Sequence, residues 1–263
     1  EVCRDKYDAV LPLVRLLLHH HKLVPFVAAV AELDLKDTQE ANTIFRGNSL
    51  ATRCVDEMMK IVGKHYLKVT LKPVIDEVGY PAETVFRILS PLGYPVSHML
   101  LTAPCVENLR YYVDKVFREI VRSSISCPTL MCDVFYSLRH LAAKRFPNDP
   151  HVQYSAVSSF VFLRFFAVAV VSPHTFHLRP HHPDAQISRT LTLISKAIQT
   201  LGSWGSLTKS KLSSFKETFM CEFFKTFQEE KFTESVKKFL DDVSSTESKE
   251  PSGLSQPVHL KEG

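Results

Sequence analysis

The chain has 263 residues, which suits one large domain or two modest ones, and its 45% hydrophobic content is enough for a sizeable core. Its net charge is +4, and it contains no dense block of lysine or arginine. This composition argues against a nucleic-acid binder, while it is compatible with an acidic protein partner or an anionic surface.

Cysteine usage and hydropathy indicate a cytoplasmic protein. The six cysteines form no CxxC pair, so we expect reduced thiols. The apolar runs look too short, or too interrupted by proline and arginine, to span a bilayer. Neither end has the features of a natural terminus, so we expect the chain to be a piece of a longer protein.

Helical periodicity accounts for most of the chain, in which only 8 glycines occur. The first predicted helix covers 10–19. The next follows Arg46 and spaces its apolar residues at i, i+4, i+8 and i+11 on the face that we expect to be buried: Leu50, Cys54, Met58 and Ile61. Further helices are predicted at 108–123, from Pro128 through Leu138, and at 155–171, 187–200 and about 213–242.

Two connections and the C-terminal strip have non-helical sequences. "RFPNDP" at 145–150 indicates a stop and a turn, and "SPHTFHLRPHHPDA" at 172–185 indicates a proline- and histidine-rich loop. Residues 244–263 are polar and rich in Ser, Pro and Glu, which is typical of a disordered linker. We find no internal repeat, and the whole pattern predicts an all-α, multi-helix fold.

The segment 79–106 differs from the rest of the chain. It carries four prolines and many apolar residues without helical spacing. Prolines would break any long helix here, so we expect an excursion on the surface of the helical domain.

The stretch "TIFRGNSL" contains the first candidate functional residue, Arg46. It lies between an aromatic residue and Gly47, which tolerates backbone conformations that other residues avoid. Asn48 or Ser49 can cap the helix that follows. We therefore expect Arg46 at the tip of a loop, pointing outward; the alternative is an ordinary solvated arginine.

The second candidate is Arg164, within the apolar helical run "SSFVFLRFFAVAVV". A guanidinium in such surroundings is costly unless its donors are satisfied, and its planar fork suits backbone carbonyls or a carboxylate. Arg164 is either a structural arginine paired with an acid or a brace for a functional loop, and these two interpretations overlap.

Other site types find little support in the sequence. The histidines do not have the spacing of a common zinc site: 19, 20, 21, 177, 181 and 182. No Walker-type loop and no GxGxxG occurs, so we expect no metal, nucleotide or other cofactor of the chain's own. An arginine presented without a phosphate-binding loop could serve the phosphates of a partner.

"TIFRGNSLAT" followed by "FVFLRFFAVAVVSP" resembles the catalytic domain of Ras GTPase-activating proteins over about 1–78 and 107–243. The segment 79–106 departs from the pattern of that family. Finer features, including "GNSLATR" and "PVHLKEG", resemble the inositol-tetrakisphosphate-binding subfamily. The resemblance implies a helical domain over 1–243 and a linker over 244–263 that leads to a pleckstrin-homology domain.

The resemblance also implies roles for individual residues. Arg46 matches the arginine finger, with Phe45 and Gly47 as its flanks, and Arg164 matches the arginine that holds the finger loop. The remaining matches lie where the family meets the GTPase: Phe162, Leu163, Lys72, Lys196, Ser203 and Lys209.

The implied function is stimulation of GTP hydrolysis by a GTP-bound Ras-type GTPase, with Rap as a further substrate. The GTP and Mg²⁺ would belong to the partner, so the chain would have no independent active site. The implied location is the cytoplasm, with recruitment to the inner face of the plasma membrane through flanking domains. The alternatives are a non-catalytic GTPase-binding scaffold, impaired by the segment 79–106, and a phosphoinositide-binding module, for which no basic cluster is present.

Overall fold

A computed structural model describes residues 8–78, 103–203, 223–224, 227 and 230–246 of the chain. Every regular element in these ranges is helical and none is a strand, which confirms the predicted all-α class. The predictions for 79–102, for the linker beyond residue 246 and for Lys209 lie outside the described residues.

The described α-helices, in chain order, are α1 (Val10–His19), α2 (Leu23–Lys36), α3 (Leu50–Val62), α4 (Lys64–Val78), α5 (Ala103–Arg122), α6 (Thr129–Arg145), α7 (Val152–Ser158), α8 (Ala167–Val171), α9 (Ala185–Gly202) and α10 (Glu230–Val243). Short 3-10 turns cover Ala41–Thr43 and Ser123–Ser126. A π-helical segment, Ser159–Phe166, joins α7 to α8.

The helix boundaries follow the sequence signals closely in several places. Helix α1 has the predicted limits, and Pro128 is the N-cap of α6. Helix α2 was not singled out by the sequence. Helix α5 begins at Ala103 rather than at 108, so the last residues of the segment 79–106 are helical.

The buried face of α3 differs from the predicted one. Ser49 caps the helix by accepting a hydrogen bond from the Thr52 amide, as expected. Leu50 and Ile61, however, are both 39% exposed. The face that packs inward instead combines two predicted positions with their neighbours: Ala51, Cys54, Val55, Met58 and Met59.

The run from α7 through the π-helical segment to α8 occupies the centre of the core. Helices α3 and α9 pack against the π-helical segment, and α2 packs against α6. By length and composition alone, Val152–Val171 could cross a membrane, with a mean hydropathy of 1.8, although we expected no run long enough. Two thirds of this stretch (67%) is buried within the domain, which is the behaviour of a core helix.

Gly202 is packed so closely that adding a single methyl group there should lower the stability of the fold. A Cβ at this position would overlap Cγ and Cδ1 of Phe162, whose ring is fully buried. We expect Gly202→Ala to lower the free energy of unfolding by about 1–3 kcal/mol, because the phenylalanine has no room to move. Thermal unfolding measures the effect. The matched control is Gly47→Ala, whose Cβ would meet no heavy atom within 4 Å and which should melt like the wild type.

Candidate functional site: an exposed arginine and its support

Arg46 lies at the surface, on the connection between the 3-10 turn Ala41–Thr43 and helix α3. The side chain of Arg46 is exposed, while those of Ile44 and Phe45 just before it are buried. Its amide donates to the Thr43 carbonyl at 3.2 Å. The backbone that carries Arg46 is therefore attached to the domain. We call residues 44–49 the arginine loop.

An unusual backbone conformation occurs at Phe45, not at Gly47, the residue that the sequence marked as tolerant of such conformations. The φ of Phe45 is 52°, in the left-handed region, whereas the φ of Gly47 lies outside that region. A bulky residue in this region is strained by roughly 1–3 kcal/mol. Its ring is 6% exposed and lies 5.5 Å from that of Phe160, so burial of the ring offsets the strain. Phe45 thus attaches the loop to the core through its buried ring.

Arg164 holds the arginine loop from the π-helical segment. Its Nη2 donates toward three successive carbonyls, those of Phe45 at 3.4 Å, Arg46 at 3.2 Å and Gly47 at 2.7 Å. Its Nη1 donates to Oδ2 of Asp56 at 2.8 Å. The guanidinium therefore uses both kinds of acceptor considered from the sequence, a carboxylate and backbone carbonyls. Its side chain is 15% exposed, so the pairing is only partly shielded from water.

Two supports of the loop lie on one side of the π-helical segment. Phe160 and Arg164 are four residues apart within Ser159–Phe166, and both contact the arginine loop. π-Helical segments are rare and occur often at functional sites. Nothing in the residue pattern distinguished this segment from an ordinary apolar α-helix.

Asp56 and Thr52 on α3 complete the support, and the sequence did not single them out. Asp56 is not on the face of α3 that the spacing predicted to be buried. Burial raises the pKa of its carboxyl, and the charge and hydrogen bond of Arg164 oppose that shift. Thr52 is 1% exposed, and its Oγ1 lies 3.0 Å from the carbonyl oxygens of both Gly47 and Ser49.

The other residues implied by the resemblance differ in their exposure and in their contacts within the chain. Phe162 is 1% exposed with its ring against Phe239, so it lies in the core, whereas Leu163 beside it is 38% exposed. Lys196 is exposed on α9. Lys72 is held by its own chain, since its Nζ donates to Asp76 at 2.8 Å and to the Leu178 carbonyl at 3.2 Å. Ser203 donates to the Gln199 carbonyl at 2.8 Å.

The described residues offer little for other kinds of chemistry near the loop. No group of three or more His, Cys, Asp or Glu among them could hold a metal ion. Burial raises the pKa of the Cys54 thiol to about 11, so this residue is a neutral thiol at physiological pH. The charged group that the described part of the arginine loop presents to solvent is the Arg46 guanidinium.

Comparisons with known proteins place the chain among its relatives. Residues 95–203 match the RasGAP family, described as the GTPase-activator protein for Ras-like GTPase. This match begins inside the segment 79–106. Human Ras GTPase-activating protein 2 is 75% identical over all 263 residues, which cover 30% of its length. Mouse Ras GTPase-activating protein 3 is 54% identical over the whole chain, which covers 31% of it.

A more distant relative, the GTPase-activating protein of Drosophila melanogaster, is 39% identical over 98% of this chain and 21% of its own length. The subfamily resemblance thus extends to Ras GTPase-activating protein 2, whose identity to this chain is higher than that of protein 3. The chain spans about a third of the length of the first two relatives. These matches, which agree with the all-helical fold, show that the chain belongs to the RasGAP family.

Proposed function

We propose that the chain stimulates GTP hydrolysis by a Ras-type small GTPase, by inserting Arg46 in trans into the partner's active site. The observation that carries the proposal is the attachment of the arginine loop: Arg164 binds the carbonyls of residues 45–47 while the Arg46 side chain stays exposed. The names of the relatives, which are Ras GTPase-activating proteins, support the choice of partner.

The geometry suits the electrostatic demand of phosphoryl transfer. As the bond to the γ-phosphoryl group breaks, negative charge spreads over oxygens that the GTPase alone does not fully neutralise. A guanidinium stabilises this charge most effectively when its backbone is already fixed, because no reorganisation is then needed during the reaction. The contacts of Phe45 and Arg164 provide this fixation before the partner arrives.

Three of the residues implied by the resemblance differ in how readily they could contact a protein partner. Leu163 is exposed next to Arg164 and offers apolar contact area. Lys196 adds a positive charge on α9. Lys72 is already bound to Asp76 and to a backbone carbonyl, so it would have to exchange a partner in order to bind a GTPase. We infer that Leu163 and Lys196 contribute more to docking than Lys72 does.

Single-turnover GTP hydrolysis tests the proposal. Purified Ras and purified Rap, each loaded with GTP, are followed with and without the chain, and binding to the GTP-bound and GDP-bound forms is measured in parallel. We expect accelerated hydrolysis and preferential binding to the GTP-bound form. Binding without acceleration would contradict the proposal and would favour the non-catalytic scaffold.

A further inference from the structure

We propose that Thr52 and Asp56 are positioning residues for the arginine loop, Thr52 through the Gly47 carbonyl and Asp56 through Arg164. The two side chains lie one turn apart on α3, the helix that the loop enters. This inference rests on the proposed function, because it assigns the two residues a role in presenting Arg46.

The hydrogen bond of Thr52 differs from that of a buried threonine whose role is only structural. Thr70 on α4 is also buried, and its hydroxyl donates to the carbonyl of Tyr66, four residues earlier in the same helix. Thr52 instead lies at the start of α3, and its hydroxyl points back to the carbonyls of Ser49 and Gly47. The single hydroxyl proton of Thr52 thus lies within reach of two carbonyls of the arginine loop, of which that of Ser49 also accepts from the Arg53 amide in α3.

The Gly47 carbonyl consequently lies within hydrogen-bond distance of two donors, one from the π-helical segment and one from α3. Arg164 Nη2 approaches it at 2.7 Å and Thr52 Oγ1 at 3.0 Å. A carbonyl oxygen has two lone pairs, so this pair of donors can fix its direction. Because Gly47 immediately follows Arg46, fixing this peptide also fixes the backbone from which the exposed guanidinium extends.

Asp56 likewise differs from its neighbour on α3. Glu57 makes the local pairing that is common on helices, accepting from Lys60 at 2.7 Å. Asp56 pairs across the fold with Arg164 at 2.8 Å, and the side chains of these two residues are 20% and 15% exposed. Without a carboxylate on Nη1, the guanidinium would be free to rotate away from the loop carbonyls.

The test compares isosteric variants in the single-turnover assay. Thr52→Val and Asp56→Asn should each lower the stimulated rate by about 10- to 100-fold, the size expected when a catalytic group is displaced by about 1 Å. Affinity for the GTP-bound partner should change far less. Thr52→Ser restores the hydroxyl and should recover the rate, which a loss of packing alone would not explain.

Matched controls and a double variant separate positioning from folding. Thr70→Val and Glu57→Gln remove the equivalent groups elsewhere and should keep wild-type rates. In an Arg164→Ala background, Asp56→Asn should cause no further loss, because Asp56 acts through that arginine. If Asp56→Asn lowered the rate by the same factor in the Arg164→Ala background as in the wild type, the proposed role of Asp56 would be wrong. If Thr52→Val hydrolysed GTP at the wild-type rate, the proposed role of Thr52 would be wrong.

Failure of this inference can be distinguished from failure of the proposed function. If the wild type accelerates hydrolysis and Arg46→Ala does not, the proposed function stands whatever the α3 variants show. If the wild type gives no acceleration, the proposed function itself fails, and the inference fails with it.

Discussion

Arg46→Ala should reduce the stimulated rate of GTP hydrolysis by about 10³-fold or more. An arginine supplied in trans contributes about 10³ to 10⁵ to the rate, a magnitude already known for Ras and its activating proteins. Binding to the GTP-bound partner should change far less, because the guanidinium acts chiefly on charge that develops in the transition state. Single-turnover rates at saturating concentrations of the variant, together with a separate measurement of affinity, distinguish these two quantities.

Two companion variants make this experiment specific to Arg46. Arg46→Lys keeps the charge but should not restore the rate, since a compact ammonium cannot reproduce the geometry of a planar guanidinium. Arg15→Ala, which removes an exposed arginine from α1, should behave like the wild type. If Arg46→Ala kept a rate close to that of the wild type, Arg46 would not be the catalytic arginine.

The sequence predicted the fold class and most helix positions, because these depend on local signals. Apolar periodicity located α1 and α9, Pro128 marked the start of α6, and Ser49 was one of two candidate caps for α3. Each of these signals lies within a few residues of the feature that it determines.

The buried face of α3 was predicted less accurately from the sequence. Spacing selects residues that share a face but not how far that face extends. Leu50 begins the helix beside the arginine loop, and Ile61 lies near its end, and both are partly exposed. Ala51, Val55 and Met59 bury a neighbouring stripe instead, because the π-helical segment and the other helices packed against α3 decide which side is covered.

The support of the arginine loop was the least predictable feature, because it depends on contacts between distant parts of the chain. Arg164 and Asp56 are separated by 108 positions, so no local pattern could connect them. Gly47 was the residue marked as tolerant of unusual backbone conformations, whereas the left-handed φ occurs at Phe45, whose ring is buried. At Phe45, tertiary packing therefore outweighs the local backbone preference of the residue.

Arg164→Ala should lower both the stability of the chain and the stimulated rate. The substitution leaves the carboxylate of Asp56 and the carbonyls of the arginine loop without their donor. We expect a loss of about 1–3 kcal/mol in the free energy of unfolding. The stimulated rate should fall as well, because the backbone that carries Arg46 then lacks its hydrogen bonds from Arg164. Denaturant unfolding and single-turnover hydrolysis measure the two effects.

Arg139→Ala is the matched control for this prediction. Arg139 is similarly enclosed, with a side chain that is 20% exposed, and it pairs with Asp241 at 2.8 Å and donates to Gln153 and Ser244. These partners are not in the arginine loop, so Arg139→Ala should destabilise the chain by a comparable amount and still stimulate hydrolysis at a temperature where it is folded. A comparison of the two variants therefore isolates the part of the Arg164 effect that reaches Arg46. If Arg164→Ala lost activity while unfolding like the wild type, Arg164 would act on the GTPase directly, and its contacts with the loop carbonyls would not be the source of its effect.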